Sequence, residues 1–197
     1  MRKANTEIIP LIKQKALELL MQKNPEEIGM REIASDCSVT ATTLYHYYKD
    51  KEELFQAVAL DCLRELNQRI LSDSKKGKTL KVQIKNAVTA YRDWCFENPR
   101  RAMLVMQGIK SAETESPEVI EEFYICNRTG EELLKKAVTE GSAVSKNPRL
   151  DVALLVFGLW GCIESVFLKK SETCYWKDGK PFTDAFINLW LESVFKK

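Results

Sequence analysis

Three residues, Cys37-Ser38-Val39, constrain this chain more than any others. They separate two short segments of helical periodicity, Met30 to about Asp36 and Ala41 to about Tyr48, and are too few for anything but a turn. Before them, about Thr6 to Gln22 carries Ile9, Ile12, Ala16, Leu19 and Leu20 on one helical face, and Asn24-Pro25-Glu26-Glu27 stops it. A supporting helix followed by two short helices at a tight turn is the helix-turn-helix plan. Its second short helix must bury one face and leave the other free to enter a DNA major groove. Val39, Leu44 and Tyr48 are expected inward, Thr42, Thr43, His46 and Tyr47 outward, with Tyr45 at the flank. Residues 37–49 carry no acidic side chain, although 29% of the chain is charged. That absence matters because a carboxylate aimed at a phosphate weakens DNA binding. Hydroxyl and phenol groups suit phosphate oxygens and base edges.

The rest of the chain also has helical periodicity. Glycine (8) and proline (6) are scarce among 197 residues, which favours long helices over a sheet with many turns. Thr40 is a suitable N-cap for the helix after the turn. Asp50, with Glu53 three residues on, is spaced to cap a long helix reaching about Leu71. The first amides of that helix, at Lys51, are expected to face a phosphate. Ser72–Lys78 is polar and holds a glycine, so a linker is expected there. Beyond it, helices are expected over about 79–98, 99–110, 116–140, 147–169 and 181–195, with a loop at Ser171–Lys180. Val82, Ala87, Tyr91, Trp94 and Cys95 are the core candidates of the first of these. The expected fold is all-α with about nine helices. Residues 1–51 form a three-helix helix-turn-helix DNA-binding domain, 50–71 a linking helix, and 72–197 a helical regulatory, ligand-binding and dimerisation domain.

Composition narrows the function classes. The net charge is +2, and residues 1–51 hold 8 Lys/Arg against 7 Asp/Glu, so any DNA affinity must come from the placement of charges. Cys37, Cys62, Cys95, Cys126, Cys162 and Cys174 include no CxxC pair, and His46 is the single histidine, so no metal site is expected. No nucleophile–base pair stands out, and no enzyme activity and no cofactor are expected. Scattered cysteines in apolar helical patterns point to reduced thiols and a cytoplasmic protein. The opening MRKANTEIIP has no hydrophobic core of a signal peptide. Val152–Ile163, the longest uncharged run, is shorter than the roughly 20 residues a membrane span needs, so no membrane partner is expected.

The stretch from Met30 to Leu54 resembles the signature of the tetracycline-repressor (TetR) family. It contains Arg-x-Ile-Ala, then Val-Thr-x-x-Thr-Leu-Tyr-His-Tyr-Tyr, then Lys-x-Lys-Glu-Glu-Leu; Ala16-Leu-Glu-Leu-Leu20 in the supporting helix also fits. The likeness covers roughly residues 8–60. It implies a homodimer that binds a palindromic double-stranded operator, usually represses, and responds to a small hydrophobic or amphipathic effector. By position, Arg31 would touch phosphate or a base, Thr40, Ala41, Thr42, Thr43, Tyr45, His46 and Tyr47 would supply the recognition contacts, and Lys51 would clamp a phosphate. Two positions depart from the pattern. Ser38 stands where the family usually has glycine, and a positive φ there would cost on the order of 1 kcal/mol. Ala41 stands where lysine is frequent, which removes a phosphate charge and favours contact with a thymine methyl. For His46 the alternatives are a DNA contact and a solvent-facing residue without an energetic role.

In the body, Tyr91, Trp94, Met103, Met106, Phe123, Tyr124 and Trp160 either line an effector cavity or are ordinary core. Glu164 is the one acid in Val152–Leu168; a ligand cation, a partner-subunit residue and solvent are all open as its counterpart. The apolar helix holding Gly158 and Gly161, with Phe186, Leu189 and Trp190 on the last helix, predicts a four-helix dimer interface from residues about 150–168 and 182–195. The competing class is a helical ligand-binding or protein-interaction module without DNA affinity.

Overall fold

The computed structural model describes residues 8–108, 117–168 and 178–196. Among them are ten α-helices and no strand beyond an isolated bridge between Ala143 and Phe195. The chain is all-α, with a helix-turn-helix head and a helical body. The described residues form two compact units: 8–63 with 100–108, and 64–99 with 117–168 and 178–196.

The first unit contains α1 (Ile8–Leu20), a 3₁₀ turn (Pro25–Glu27), α2 (Met30–Asp36), α3 (Ala41–Tyr45) and the first half of α4 (Lys51–Lys75). Ile12, Ala16, Leu19 and Leu20 of α1 are buried at helical spacing, with Ile9 half-buried beside them. They meet Ile28, Met30, Ile33, Ala34, Leu44, Tyr48, Leu54 and Val58 in one core. Leu104, on α6 (Pro99–Gly108), packs against the same core. Residues 100–108 therefore group with the head, although linear order sets them among residues 72–197.

The second unit contains the rest of α4, α5 (Leu80–Glu97), α7 (Pro117–Phe123), α8 (Ile125–Thr139), α9 (Pro148–Phe167) and α10 (Gly179–Val194). Here α9 packs between α8 and α10, and α5 lies against all three. Asn147 accepts from the Leu150 amide at 3.2 Å, with Pro148 opening α9 as its fixed φ favours. Burial of Arg92, 2% exposed, is offset by ion pairs to Asp93 and Asp184. The sequence pattern gave no sign of this triad.

Several expectations change. Helix α4 continues to Lys75, and the expected linker is a tight turn: a Cβ on Gly77 would lie 2.5 Å from the Gln83 nitrogen. Val82 is 41% exposed, because Ile84, Val88, Trp94 and Cys95 carry the buried stripe of α5. The single helix expected over 116–140 is broken at Tyr124. Its cause is a buried side chain inserted into the ladder. Asn67 donates to the Glu122 carbonyl at 2.9 Å, an acceptor that an unbroken helix would offer to residue 126. The Cys126 thiol donates instead to Asn67 Oδ1 at 2.9 Å. The loop expected over 171–180 lies largely outside the described residues; its last two positions, Gly179 and Lys180, begin α10. Cys174 lies outside them as well.

Candidate nucleic-acid interface

The turn expected at Cys37-Ser38-Val39 is a complete Schellman closure of α2. The Val39 amide donates to the Ala34 carbonyl and the Ser38 amide to the Ser35 carbonyl, both at 2.9 Å. That closure requires a left-handed residue, and Ser38 takes φ 56°, the one positive value at a non-glycine among the described residues. Cys37 is buried beneath the turn, and burial, reinforced by Asp36, pushes its thiol pKa up. The turn then delivers Thr40 as the N-cap of α3, its hydroxyl accepting from the Thr43 amide at 3.1 Å.

Helix α3 ends at Tyr45, shorter than the pattern predicts, but the chain stays coiled to Tyr48. The His46 amide donates to the Thr43 carbonyl, and those of Tyr47 and Tyr48 to the Leu44 carbonyl. Leu44 and Tyr48 are buried as expected, and Val39 is half-buried against the same core. Burial, with Asp61 and Glu53 nearby, pushes the Tyr48 phenol pKa up, so that group stays protonated. Thr40, Thr42, Tyr45 and His46 are exposed, whereas Ala41, Thr43 and Tyr47 are half-buried. The Thr40 and Thr43 hydroxyls lie 2.9 Å apart, so both are partly engaged within the helix start.

The charges sort by position. Arg31 is exposed and makes no ion pair with a described residue, whereas its neighbour Glu32 is tied to Lys23. Lys51 donates to the Pro25 carbonyl at 2.8 Å, and its ammonium lies 5.9 Å from the Phe55 ring centroid. An ammonium has three donors, so two remain for a phosphate. The start of α4 is less open to an anion than expected. Asp50 accepts from the Glu53 amide at 2.8 Å, and Glu53 accepts from the Lys49 amide at 2.6 Å, which places two carboxylates there. Glu53 thus caps one residue earlier than the reciprocal box predicts. Lys49 is exposed and unpaired among the described residues, and the sequence reading passed over it. Its position between the recognition turn and α4 was the available signal.

The body residues are more scattered. Met103 and Met106 belong to the head unit; Tyr91, Trp94, Phe123, Tyr124, Trp160 and Glu164 belong to the body. Trp94 is buried with its indole donating to Glu65 at 3.1 Å. Tyr91, Phe123, Trp160 and Glu164 are half-buried, and Tyr124 is 36% exposed, edge-on to Phe123. Of the expected interface residues, Gly161 faces open space and Leu189 is 69% exposed. Gly158 instead admits Phe186 of its own chain, whose ring would lie 2.5 Å from an added Cβ. Trp190 is buried inside the α9–α10 contact, donating to the Asp151 carbonyl at 2.9 Å, and so offers no surface to a second subunit. On the side of Gly161, however, α9 and its C-cap present Leu150, Leu154, Phe157 and Leu168, all more than a third exposed. Helix α9 is 20 residues long and apolar enough to cross a membrane by length and composition, with only 22% of its most apolar window buried.

No curated protein sequence matches this chain. Among solved structures, one of a protein with unknown function from Rhodococcus sp. RHA1 aligns over 100% of both chains at TM-score 0.78 and 12% identity. A TetR/AcrR-family transcriptional regulator from Thermobifida fusca aligns over 95% of this chain and 98% of its own, at TM-score 0.73 and 17% identity. The fatty acid degradation regulator FadR from Bacillus halodurans aligns over 96% and 97%, at TM-score 0.72 and 15% identity. At such identities the likeness is one of fold. Residues 12–58 match the family of bacterial regulatory proteins called the tetR family, a span that begins in α1, takes in the turn at Ser38 and ends inside α4. Residues 12–58 of this chain thus carry the helix-turn-helix domain of the tetR family of bacterial regulatory proteins.

Proposed function

We propose that this chain is a cytoplasmic repressor that binds a palindromic duplex operator as a homodimer and releases it when a small effector enters the body. The observation that carries the DNA-binding part is the division of the 40–48 segment. Leu44 and Tyr48 anchor it, while Thr42, Tyr45 and His46 stand clear of the core, flanked by exposed Arg31 and Lys49. In this reading Thr42, Tyr45, His46 and Tyr47 meet base edges, and Arg31, Thr40, Thr43, Lys49 and Lys51 hold phosphates. Ala41 gives apolar contact to a thymine methyl.

The dimer reading is supported by the uncovered row Leu150, Leu154, Phe157, Gly161 and Leu168, spaced at three, four or seven residues along α9. Such spacing forms one stripe of a helix, and Leu189 on α10 is exposed as well. The effector reading takes the half-buried Tyr91, Phe123 and Trp160 of the helical body as its lining. Glu164 is half-buried in the last turn of α9, which leaves an effector, a partner subunit and solvent as its counterparts.

Selection of bound duplexes from a random library tests the reading. A palindromic consensus is expected, and His46→Ala should weaken binding to it more than binding to random DNA. Failure to enrich any sequence overturns the proposal; equal losses on both DNAs remove His46 from base contact.

A further inference from the structure

The body carries a 550 Å³ depression with a strongly positive lining. Lys78, Lys81, Lys136 and Lys196 border it, with Glu140 the one acid among the lining residues. None of these four lysines forms an ion pair with a described residue. Their neighbours do: Lys76 pairs with Asp73, and Lys135 with Glu131. Lys81 lies instead over the Phe195 ring, 5.7 Å from its centroid.

The frame that carries these charges is tied down by hydrogen bonds. In the α4–α5 turn, Gln83 donates to the Gly77 carbonyl at 3.0 Å, Ser74 to the Gln83 carbonyl at 3.1 Å, and Asn86 to the Asp73 carbonyl at 3.2 Å. On the other side, the Val144 amide donates to the Val194 carbonyl at 2.7 Å, and the Lys196 amide to the Ser142 carbonyl at 3.1 Å. These bonds join the C-terminal residues to the α8–α9 connection, whose own turn closes on Gly141 at φ 76°. Unpaired like charges held around one concavity repel each other, and an anion that enters relieves that repulsion. The volume lies within the roughly 300–1,000 Å³ range of small-molecule sites. Four ammonium groups face one carboxylate across this lining, so its net charge, more than its apolar part from Leu80 and Phe195, selects an anion.

We infer that this depression binds a small polyanion bearing two or more phosphate groups. Lysines act there as point charges on phosphate oxygens. The bound anion bridges the α4–α5 turn, the end of α8 and the C-terminal residues, and so stabilises the body. This inference rests on the body alone and is independent of the DNA-binding reading.

Calorimetric titration of the full chain with sodium tripolyphosphate tests it. One saturable site per chain is expected, weakening as salt rises, with a higher Tm at saturation. The double substitution Lys78→Gln/Lys196→Gln should reduce affinity about tenfold or more, since it removes half of the converging charge. Glu140→Gln should tighten binding about two- to threefold, a gain that misfolding cannot produce. Lys15→Gln/Lys23→Gln, on lysines of the head, should leave affinity unchanged. Absence of saturable binding at millimolar tripolyphosphate overturns the inference. So does affinity that is unchanged in Lys78→Gln/Lys196→Gln, unimproved in Glu140→Gln, or equally reduced in Lys15→Gln/Lys23→Gln.

Discussion

Replacing Ser38 by glycine should stabilise this protein, and the size of the gain follows from the turn. Two helices close in the same way. At the end of α2 the left-handed position is Ser38, φ 56°; at the end of α8 it is Gly141, φ 76°. An L-residue in that region costs about 1–2 kcal/mol. Glycine removes the cost but returns about 0.4–1 kcal/mol through greater freedom of the unfolded chain. The difference leaves a gain of about 0–1.6 kcal/mol, centred on about 0.8 kcal/mol. Ser38 is exposed and its hydroxyl bonds to no described residue, so no packing or hydrogen-bond loss offsets that gain. For a chain of this size, Tm should rise by about 1–4 °C, read by circular dichroism. Ser38→Ala keeps the Cβ and should move Tm little. Gly141→Ala should lower it by a similar amount, with the opposite sign. If Ser38→Gly lowers Tm, or Ser38→Ala raises it as much, strain at Ser38 is not what limits this turn.

Other expectations concern the body. Phe157 is 55% exposed and Leu154 59% exposed on α9. Leu154→Glu/Phe157→Glu should therefore turn a micromolar dimer into a monomer in sedimentation while far-ultraviolet circular dichroism stays unchanged; a wild-type monomer refutes the interface. Burial pushes the Cys95 and Cys126 thiols up to about 12. In the unfolded chain such thiols ionise near about 8.5. Because the folded values are raised, the native state holds protons that the unfolded state loses. Stability should be level below about pH 8.5 and fall above it, towards pH 12. Urea midpoints across that range check the slope, and a rise there contradicts it. At pH 8 both thiols should resist iodoacetamide until the chain unfolds.

What the sequence made legible was local. The turn at 37–39, the Thr40 and Asn147 caps and the buried faces of α1 and α3 follow from spacing and capping chemistry acting within a few residues. What it concealed depends on contacts between distant residues. Asn67 breaks the 117–139 region from another helix, and nothing within that region signals a break. Arg92 looks like a surface residue until Asp184, far along the chain, is brought beside it. Gly158 looked available to a second subunit but is filled by Phe186. In the candidate interface, residue identities were legible but their engagement was not. Lys51 is bound to the Pro25 carbonyl, and Asp50 and Glu53 occupy the start of α4. Lys49 stands in the Lys-x-Lys motif, but no spacing marks its side chain as unpaired.

Binding of the full chain to its selected duplex across a salt series tests the central claim most directly. The account predicts that log affinity falls linearly with log salt concentration, by about 0.9 for each phosphate held. Arg31→Ala and Lys49→Ala should each flatten that slope by about one contact. Duplex binding that is absent, or independent of salt, would contradict a DNA-reading role for the segment around Ser38.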